Sequence, residues 1–426
     1  MGTVKELQKF LDKARSVYHA VALIKAELDG AGYTCLSETD RWELKAGGKY
    51  YLVRNGSAIL AFRVPAAAPK GFMISAAHAD RPCFKVKENG VLEGAYTRLA
   101  VERYGGALLA PWLDRPLSVA GRVLVETEKG VESRLVDIDR DLLLMPNVAI
   151  HMNRSANDGY KWNPATDTIP LLADKKATKK FWEEVETLAG GKILGHDLYL
   201  YVRQKSVVWG LENEFISAQA IDDLECAWGC LQGFLRAKET ANIPVLCVFD
   251  SEEVGSSSYQ GAASDMLQSA INRICAALAL EKDCQLASSF LISADNAHAL
   301  HPNHPEYADP ANAPVMNGGV VVKFNANQRY TTDGLTYAIF RKICENAGVP
   351  VQTYCNRADL PGGSTLGNIS LTQVAVPSVD IGLAQLAMHS CYETAGVKDV
   401  QYLVDAMTAC YGAELETAPN GSVSVK

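Results

Sequence analysis

The sequence lacks the features that would place the chain at a membrane or on a nucleic acid. Its 426 residues contain no apolar run of ~18 residues, which a membrane-spanning helix needs. Met1–Tyr18 alternates charged and apolar residues, so we expect no export signal there. Basic residues are not in excess, because 41 Lys and Arg stand against 49 Asp and Glu, and the net charge of −8 disfavours a dedicated nucleic-acid binder. We therefore expect neither a membrane nor a nucleic acid as a partner.

Cysteine is present, but not in a metal-binding or redox arrangement. The 11 cysteines are odd in number and scattered, and no CxxC pair occurs, which disfavours a thiolate zinc site or a redox dithiol. Cys247 lies inside the apolar run Val245–Phe249, where cysteine acts as a small hydrophobic side chain. Free thiols of this kind are typical of a reducing compartment, so we expect a cytoplasmic protein.

The composition is that of an ordinary globular protein, with 48% hydrophobic and 21% charged residues. At ~150 residues a domain, the length suggests two or three units, or one large α/β body with an insertion.

The first segment, Thr3–Ala26, has apolar residues at helical spacing and predicts one amphipathic helix. Thr3 and Glu6 have the spacing of a capping box at its start.

Four short apolar runs are each followed by polar residues that can act as ligands. Runs of this length between helical segments predict buried strands of a mostly parallel or mixed sheet. Open α/β sheets bind ligands beyond the carboxyl ends of their strands, so we expect the polar residues to meet at one edge. The runs and their followers are Gly71–Ala77 with His78 and Asp80, Pro244–Phe249 with Asp250, Glu252 and Glu253, Phe290–Ala294 with Asp295, and Val374–Gly382 leading to His389.

The stretch at 88–215 has a different character. It carries alternating strand-like segments, such as Gly121–Glu126 and Asp197–Val202, around the polar region Asn153–Lys180. We interpret 88–215 as an inserted β-rich domain that interrupts a catalytic α/β domain formed by 1–87 and 216–426. The predicted fold class is α/β, with a central sheet flanked by helices.

Each candidate pair of polar residues, taken alone, has an ordinary structural explanation. Adjacent glutamates are common in solvated loops, a His-x-Asp pair is often a core hydrogen bond, and aspartates before an apolar helical run usually cap the helix. Two adjacent carboxylates after a buried strand are nevertheless easiest to explain beside a cation. The pairs are Glu252 with Glu253, His78 with Asp80, and Asp222 with Asp223.

In combination, these segments supply a mixed set of nitrogen and oxygen donors. Such a set suits zinc, cobalt or manganese. If Asp222 bridges, two metals each have three protein ligands and open positions for water, and metals ~3.5–4 Å apart are a known hydrolytic arrangement. The candidate ligands are His78, Asp222, Glu253, Asp295 and His389.

Over nearly its whole length, the chain resembles the aspartyl aminopeptidases, which are dinuclear metallopeptidases of the co-catalytic zinc aminopeptidase group. The motifs occur in the family's order, and together they are specific. The matching strings are Ser75-Ala-Ala-His-Ala-Asp80, Ile221-Asp-Asp-Leu224, Asp250-Ser-Glu-Glu-Val-Gly255, Ser293-Ala-Asp-Asn-Ala-His-Ala-Leu-His-Pro302, Lys323-Phe-Asn-Ala-Asn-Gln-Arg-Tyr330 and Met388-His-Ser-Cys-Tyr-Glu-Thr394.

The resemblance implies a role for each motif. Glu252 would be the general base that takes the proton of a water bridging two metals, and Asp80 would support His78. Asp223 stands where the family usually has Asn, which adds a carboxylate beside the bridging residue. The implied metal ligands are His78, Asp222 and Asp295 for one ion, and Asp222, Glu253 and His389 for the other.

The resemblance also implies substrate-binding residues and an assembly. His151 matches a histidine that the family's inserted domain lends to a neighbouring subunit, where it stabilises the tetrahedral intermediate. His298 and Lys323 match groups that recognise an acidic side chain. The expected activity is release of N-terminal residues, preferentially Asp or Glu, from peptides by attack of a metal-bridging hydroxide. The expected assembly is a homo-oligomer, namely a dodecamer built from dimers.

Three other functions remain open from the sequence. The enzyme could have broad or neutral specificity, or it could be a related dinuclear amidohydrolase of N-acyl amino acids. A binding or shell-forming protein without catalysis is the third alternative. The presence of Glu252 together with a full set of ligands argues against that third alternative.

Overall fold

The computed structural model of the chain describes residues 2–175, 178–360, 362–418 and 420–426. In these described parts, no helix combines the length and the apolar character needed to cross a membrane. The helices are α1 (Gly2–Lys13), α2 (Val17–Gly30), α3 (Thr178–Ala189), α4 (Ile221–Arg236), α5 (Met266–Ala277), α6 (Lys282–Ala287), α7 (Gly334–Ala347), α8 (Leu366–Ser370) and α9 (Val397–Tyr411). The strands are β1 (Thr34–Cys35), β2 (Lys49–Arg54), β3 (Ala58–Arg63), β4 (Phe72–His78), β5 (Cys83–Leu92), β6 (Thr97–Tyr104), β7 (Leu117–Thr127), β8 (Gly130–Asp137), β9 (Leu171–Ala173), β10 (Ile193–Val202), β11 (Val207–Trp209), β12 (Phe215–Ala218), β13 (Ile243–Phe249), β14 (Phe290–Ala294), β15 (Ala297–His298), β16 (Val320–Phe324), β17 (Val351–Cys355), β18 (Ser378–Gly382), β19 (Ala384–Leu386), β20 (Glu393–Gly396), β21 (Leu415–Thr417) and β22 (Val423–Val425).

A mixed sheet lies at the centre, with the strand order β1-β2-β3-β13-β4-β14-β18-β16-β17. The four strands predicted from apolar runs, β4, β13, β14 and β18, are adjacent to one another and parallel. Antiparallel strands β3 and β16 flank this parallel block. The prediction of an α/β fold with a mixed central sheet is confirmed, and the parallel block brings the carboxyl ends of four strands to one edge.

Both faces of this sheet are covered by helices, which explains why its strands read as continuous apolar runs. Along β4, Met73 and Ala77 pack with α4, α7 and α9 in one core, whereas Ile74 and Ala76 pack with α5 in the other. The alternation follows from the two-residue repeat of a strand. The parallel block is therefore a rigid base for whatever lies at its edge.

A second sheet is built largely from the stretch 88–215 that the sequence predicts to be inserted, although its strand β5 already begins at Cys83. Its order is β8-β7-β10-β5-β6-β9, and its strand pairs are antiparallel. Helix α3 packs against it through Phe181, Val185 and Ala189. A smaller third sheet, with the order β11-β12-β20-β19-β15, joins this region to the segments around His298 and Glu393. The boundaries 88 and 215, and the role in dimerisation, stay predictions.

The N-terminal segment differs from the prediction of one helix over Thr3–Ala26. Two helices, α1 and α2, are separated by a break at Ala14–Ser16. The guanidinium of Arg81 donates hydrogen bonds to two main-chain carbonyls within this break, which replace intrahelical bonds. The predicted capping box is also wrong, since α1 begins before Thr3 and the Thr3 hydroxyl bonds the side chain of Gln401.

Candidate metal centre and active site

The candidate ligands stand at the carboxyl edge of the parallel block and on the segments next to it. Five separate stretches of chain deliver them, so only the fold brings them together. Within α4, Asp222 and Asp223 depart from helical dihedral angles and are joined by a cis peptide bond. His78 is the last residue of β4, Asp295 follows β14, Glu252 and Glu253 open a 3-10 turn (Glu252–Val254) after β13, Asp222 lies in the first turn of α4, and His389 follows β19.

The ligand atoms lie close enough to share metal ions. In each of several groups, one ligand atom from every residue lies within 4.8 Å of the others. Asp222 belongs to two of these groups, which is the arrangement that a bridging ligand requires. The groups are His78, Asp222 and Asp295; Asp222, Glu253 and His389; and the overlapping set His78, Glu252 and Glu253.

The carboxylate of Asp222 lies between two imidazoles. Its Oδ1 is 3.5 Å from Nε2 of His78, and its Oδ2 is 3.4 Å from Nε2 of His389. The same His389 nitrogen is 3.4 Å from Oε2 of Glu253. Oδ1 of Asp222 and Oε1 of Glu253 are buried and have no hydrogen-bond partner among the described residues. Buried carboxylate oxygens without partners are costly, so this donor set fits divalent cations that would pair with them.

Asp80 supports the site from behind the ligands. Its Oδ1 is 3.3 Å from Nδ1 of His78, the ring nitrogen opposite the one that approaches Asp222. Its two carboxylate oxygens also accept hydrogen bonds from the main-chain N–H groups of Glu252 and Glu253, each at 3.1 Å. One buried carboxylate thus orients a candidate ligand and fixes the turn that carries the candidate base.

Two further supports were not predicted from the sequence. Glu393 accepts hydrogen bonds from the main-chain N–H of Asp222 at 3.1 Å and of His389 at 2.8 Å, so it ties two candidate ligands together. Tyr104 donates a hydrogen bond to Asp80 at 2.8 Å from the second sheet. Glu393 lies inside a string that carried the family resemblance, whereas no local pattern around Tyr104 indicates that it reaches the site.

The two adjacent aspartates have different partners. The carboxylate of Asp223 accepts a hydrogen bond from the main-chain N–H of His78 at 3.1 Å. Unlike Asp222, Asp223 does not line the cavity in which the ligands meet, and it belongs to none of the ligand groups. The geometry therefore favours Asp222 over Asp223 as the bridge.

The site concentrates negative charge in a buried place. Burial raises the pKa of Glu252 to about 8, and the charge of Asp295 acts in the same direction. Burial also opposes ionisation of Asp222, but the imidazoles of His389 and His78 outweigh it, and the pKa of Asp222 lies below its ordinary value. Burial lowers the pKa of His78, yet neighbouring carboxylates raise it well above its ordinary value. The surrounding carboxylates thus favour positive charge at this place, which divalent ions would supply.

The cluster lines a cavity of about 290 Å³ that also contains the candidate substrate-binding residues. Lys323 is 2% exposed, and its Nζ donates hydrogen bonds to the main-chain carbonyls of Asp295 at 2.7 Å and Asn296 at 3.3 Å. An ammonium has three donors, so one remains for a ligand. The ring of Tyr330 lies 5.2 Å from the same Nζ, and His298 forms an exposed part of the wall.

His151 does not reach this cavity within one chain. It lies on an exposed turn of the 147–154 segment, and it is not among the described residues that line the cavity. Its neighbours Ile150 and Met152 are also exposed, Met152 by 79%. His151 is therefore not part of the ligand cluster within the chain.

Comparison with known proteins identifies the family. A family model described as aminopeptidase I zinc metalloprotease (M18) matches residues 10–411. The chain belongs to the M18 aminopeptidase family. Probable M18 family aminopeptidase 2 of Clostridium acetobutylicum is 40% identical over 423 residues, which cover 96% of this chain and 98% of the relative. The protein of the same description from Pseudomonas aeruginosa is 39% identical over 419 residues, 95% of this chain and 96% of that one. The prediction of a metallo-aminopeptidase is confirmed.

Solved structures share the fold of this M18 aminopeptidase. A cryo-EM structure of the Ape4 and Nbr1 complex has a TM-score of 0.92 at 33% identity, and the match covers 96% of this chain and 85% of that chain. The crystal structure of prApe1 has a TM-score of 0.91 at 27% identity, with 96% and 94% covered. The S. cerevisiae mApe1 dodecamer has a TM-score of 0.83 at 27% identity, with 95% of each chain covered. At least one relative with this fold is thus a homo-oligomer.

Proposed function

We propose that this M18 aminopeptidase holds two divalent ions, and that these are zinc, with cobalt or manganese as alternatives. The observation that carries the proposal is the Asp222 carboxylate, which has one oxygen near His78 and the other near His389. Buried carboxylate oxygens without partners in the same cluster support it. The first ion would have His78, Asp222 and Asp295 as ligands, and the second would have Asp222, Glu253 and His389.

Glu252 is the group proposed to move the proton. Bound metals would supply a water of lowered pKa and polarise the scissile carbonyl. Glu252 lines the same cavity, and its main chain is fixed by Asp80, so its carboxylate can accept a proton from the attacking water and return it to the leaving amine. Asp80 holds His78 in orientation throughout.

The proposed substrate is the N-terminal residue of a peptide, with a preference for Asp or Glu. The remaining donor of Lys323 and the imidazole of His298 face the cavity beside the ligand cluster, where an acidic side chain would pair with them. Nζ of Lys323 already lies 3.9 Å from Oδ2 of Asp295, which weakens the attraction of Lys323 for a second carboxylate. Broad or neutral specificity is therefore the alternative to test, along with hydrolysis of N-acyl amino acids.

We further propose a homo-oligomer in which the inserted region lends His151 to a neighbouring active site. The exposure of His151 and of its apolar neighbour Met152 supports an intermolecular role. A dodecamer built from dimers is the proposed assembly, by analogy with the S. cerevisiae relative. A cytoplasmic location is proposed because the 11 cysteines are free in the structure.

The test is a substrate panel on metal-reconstituted protein. Asp-, Glu-, Leu- and Lys-anilides are compared with N-acyl derivatives of the same amino acids. Faster turnover of Asp- and Glu-anilides supports the acidic preference, whereas faster Leu-anilide turnover supports the neutral alternative. Hydrolysis of the N-acyl compounds without hydrolysis of any anilide would replace the aminopeptidase with the amidohydrolase.

A further inference from the structure

The end of β6 and the loop that follows it lie against the candidate metal centre. Tyr104 is the last residue of β6, and its hydroxyl donates the 2.8 Å hydrogen bond to Oδ2 of Asp80. Burial raises the pKa of this phenol, so it stays protonated and remains a donor. Two residues later, the main-chain oxygen of Gly106 lies 3.3 Å from Nδ1 of His389. We call residues 104–108 the β6 exit loop, which continues a strand of the second sheet.

Both candidate histidine ligands have one ring nitrogen towards the cluster and the other held from outside it. Nε2 of His389 is near Asp222, whereas its Nδ1 is near the Gly106 oxygen. Nε2 of His78 is likewise near Asp222, whereas its Nδ1 is 3.3 Å from Oδ1 of Asp80. A proton on Nδ1, donated to these oxygens, leaves the lone pair of Nε2 free for a metal. The β6 exit loop therefore contacts the support of each histidine.

The main chain of His389 also depends on this loop. Its φ angle is +66°, in the left-handed region, which a residue with a side chain keeps only when its surroundings hold it there. The main-chain N–H of Leu108 donates a hydrogen bond to the His389 carbonyl at 2.9 Å. The β6 exit loop thus holds both the ring and the main chain of this candidate ligand.

Two glycines allow the loop to approach the ligands this closely. A Cβ atom on Gly105, whose φ is +70°, would lie 3.1 Å from Cβ of Glu253. A Cβ atom on Gly106 would lie 3.4 Å from Nδ1 of His389. Glu253 and His389 are both candidate ligands of the second ion. A methyl group at either glycine would therefore press on a ligand of that ion.

We propose that Tyr104 and Gly106 are positioning residues through which the second sheet sets the metal affinity of the site. The inference rests on the two-metal site proposed above. Tyr104 acts on His78 through Asp80, and Gly106 acts on His389 directly. Each fixes the orientation of a histidine before a metal arrives, which reduces the conformational freedom lost on binding. The second sheet is thus part of the metal site as well as the region expected to form dimers.

The test measures the zinc dissociation constants of the metal-free protein by competition with a chromophoric chelator. Tyr104→Phe removes only the donor to Asp80 and is expected to raise the zinc Kd about tenfold, in the range for loss of a ligand's hydrogen-bonded support. The visible spectrum of the cobalt-loaded variant should also differ from wild type, because it reports ligand geometry. Gly106→Ala is expected to raise the Kd of one ion, the one that His389 binds, by a similar factor.

Tyr199→Phe and Gly94→Ala are the matched controls. The ring of Tyr199 lies 5.9 Å from that of Tyr104 in the same sheet, but the described hydrogen bonds of Asp80 do not involve its hydroxyl. Gly94 lies between β5 and β6, and the nearest described atom to an added Cβ is the Tyr96 carbonyl oxygen, at 3.5 Å. Both variants are expected to keep the wild-type zinc Kd and cobalt spectrum.

Each positioning role can fail separately. A wild-type zinc Kd in Tyr104→Phe would overturn the role of Tyr104, and a wild-type Kd for both ions in Gly106→Ala would overturn that of Gly106. A lower thermal unfolding midpoint with unchanged zinc affinity would leave the loop a purely structural role and would also overturn the inference. Failure of the wild-type protein to bind zinc would refute the proposed metal centre instead.

Discussion

Glu252 and Glu253 are adjacent in the sequence but have different surroundings. Oε2 of Glu253 lies 3.4 Å from Nε2 of His389, within the group that also contains Asp222. Glu252 is absent from both groups that contain Asp222, although it lines the same cavity. This difference supports the proposed roles of Glu253 in metal binding and of Glu252 in proton transfer, which the family resemblance implies.

The first prediction concerns Glu252→Gln. The variant keeps the size of the side chain but cannot accept a proton, so kcat should fall by about 10²–10⁴. Metal content, measured by atomic emission, should stay at the wild-type value. Glu128→Gln, an exposed substitution in the turn between β7 and β8, is the matched control. A near-normal rate would show that Glu252 is not the base.

The second prediction concerns Lys323→Met. Methionine fills much of the buried volume but carries no charge, so the loss should be selective for acidic substrates. The ratio of kcat/KM for Glu-anilide to that for Leu-anilide should fall by about tenfold. Equal losses on both substrates would mean that Lys323 stabilises the loop around Asp295 and does not recognise a carboxylate.

At the scale of elements, helix α4 positions Asp222 and depends on a close contact with α9. A Cβ atom on Gly233 would lie 2.4 Å from Cβ of Met407, so only glycine allows the two helices to approach this closely. Gly229 faces Leu403 in the same way, with a distance of 2.4 Å from an added Cβ to the leucine Cδ2. The contact between α4 and α9 is therefore fixed by two glycines.

Gly233→Ala should destabilise the protein by about 1–3 kcal/mol, because overpacking forces the helices apart. The measurement is the thermal unfolding midpoint of the variant against wild type. Gly30→Ala, at the end of α2, has nothing within 4 Å of the added Cβ and should be nearly neutral. Equal effects of the two substitutions would contradict the account of this interface.

The elements differ in how far the sequence predicts them. Strands β4, β13, β14 and β18 were predicted because an apolar run is a local signal. The break at Ala14–Ser16 was not, because it depends on Arg81, which is distant in the sequence. The same holds at the site: the strings predict the candidate ligands, but they do not predict that Glu393 ties Asp222 to His389. The contact of Tyr104 with Asp80 arises only when the second sheet packs on the first.

At the scale of the whole molecule, the open question is whether one chain is a complete enzyme. His151 is exposed and does not line the cavity of its own chain, and the proposal has a neighbouring subunit supply it. His151→Phe should lower kcat by about 10²–10³, the usual cost of losing one donor to the tetrahedral intermediate, while metal is retained.

Mixed assemblies separate a contribution between subunits from one within a chain. His389→Ala removes a candidate metal ligand but keeps His151, and His151→Phe keeps the metal site. Co-refolded mixtures of these two inactive variants should regain activity, because His389→Ala subunits lend His151 to intact sites. Full activity of His151→Phe alone, or no recovery in the mixture, would contradict exchange between subunits.

The most direct test of the central claim is anomalous diffraction from crystals grown with zinc, recorded above and below the zinc edge. We predict two peaks ~3.5–4 Å apart, with Asp222 between them. Ligand atoms of His78 and Asp295 should lie ~2.0–2.2 Å from one peak, and those of Glu253 and His389 at the same distance from the other. The absence of peaks among these residues, or a single zinc bound elsewhere, would contradict the account.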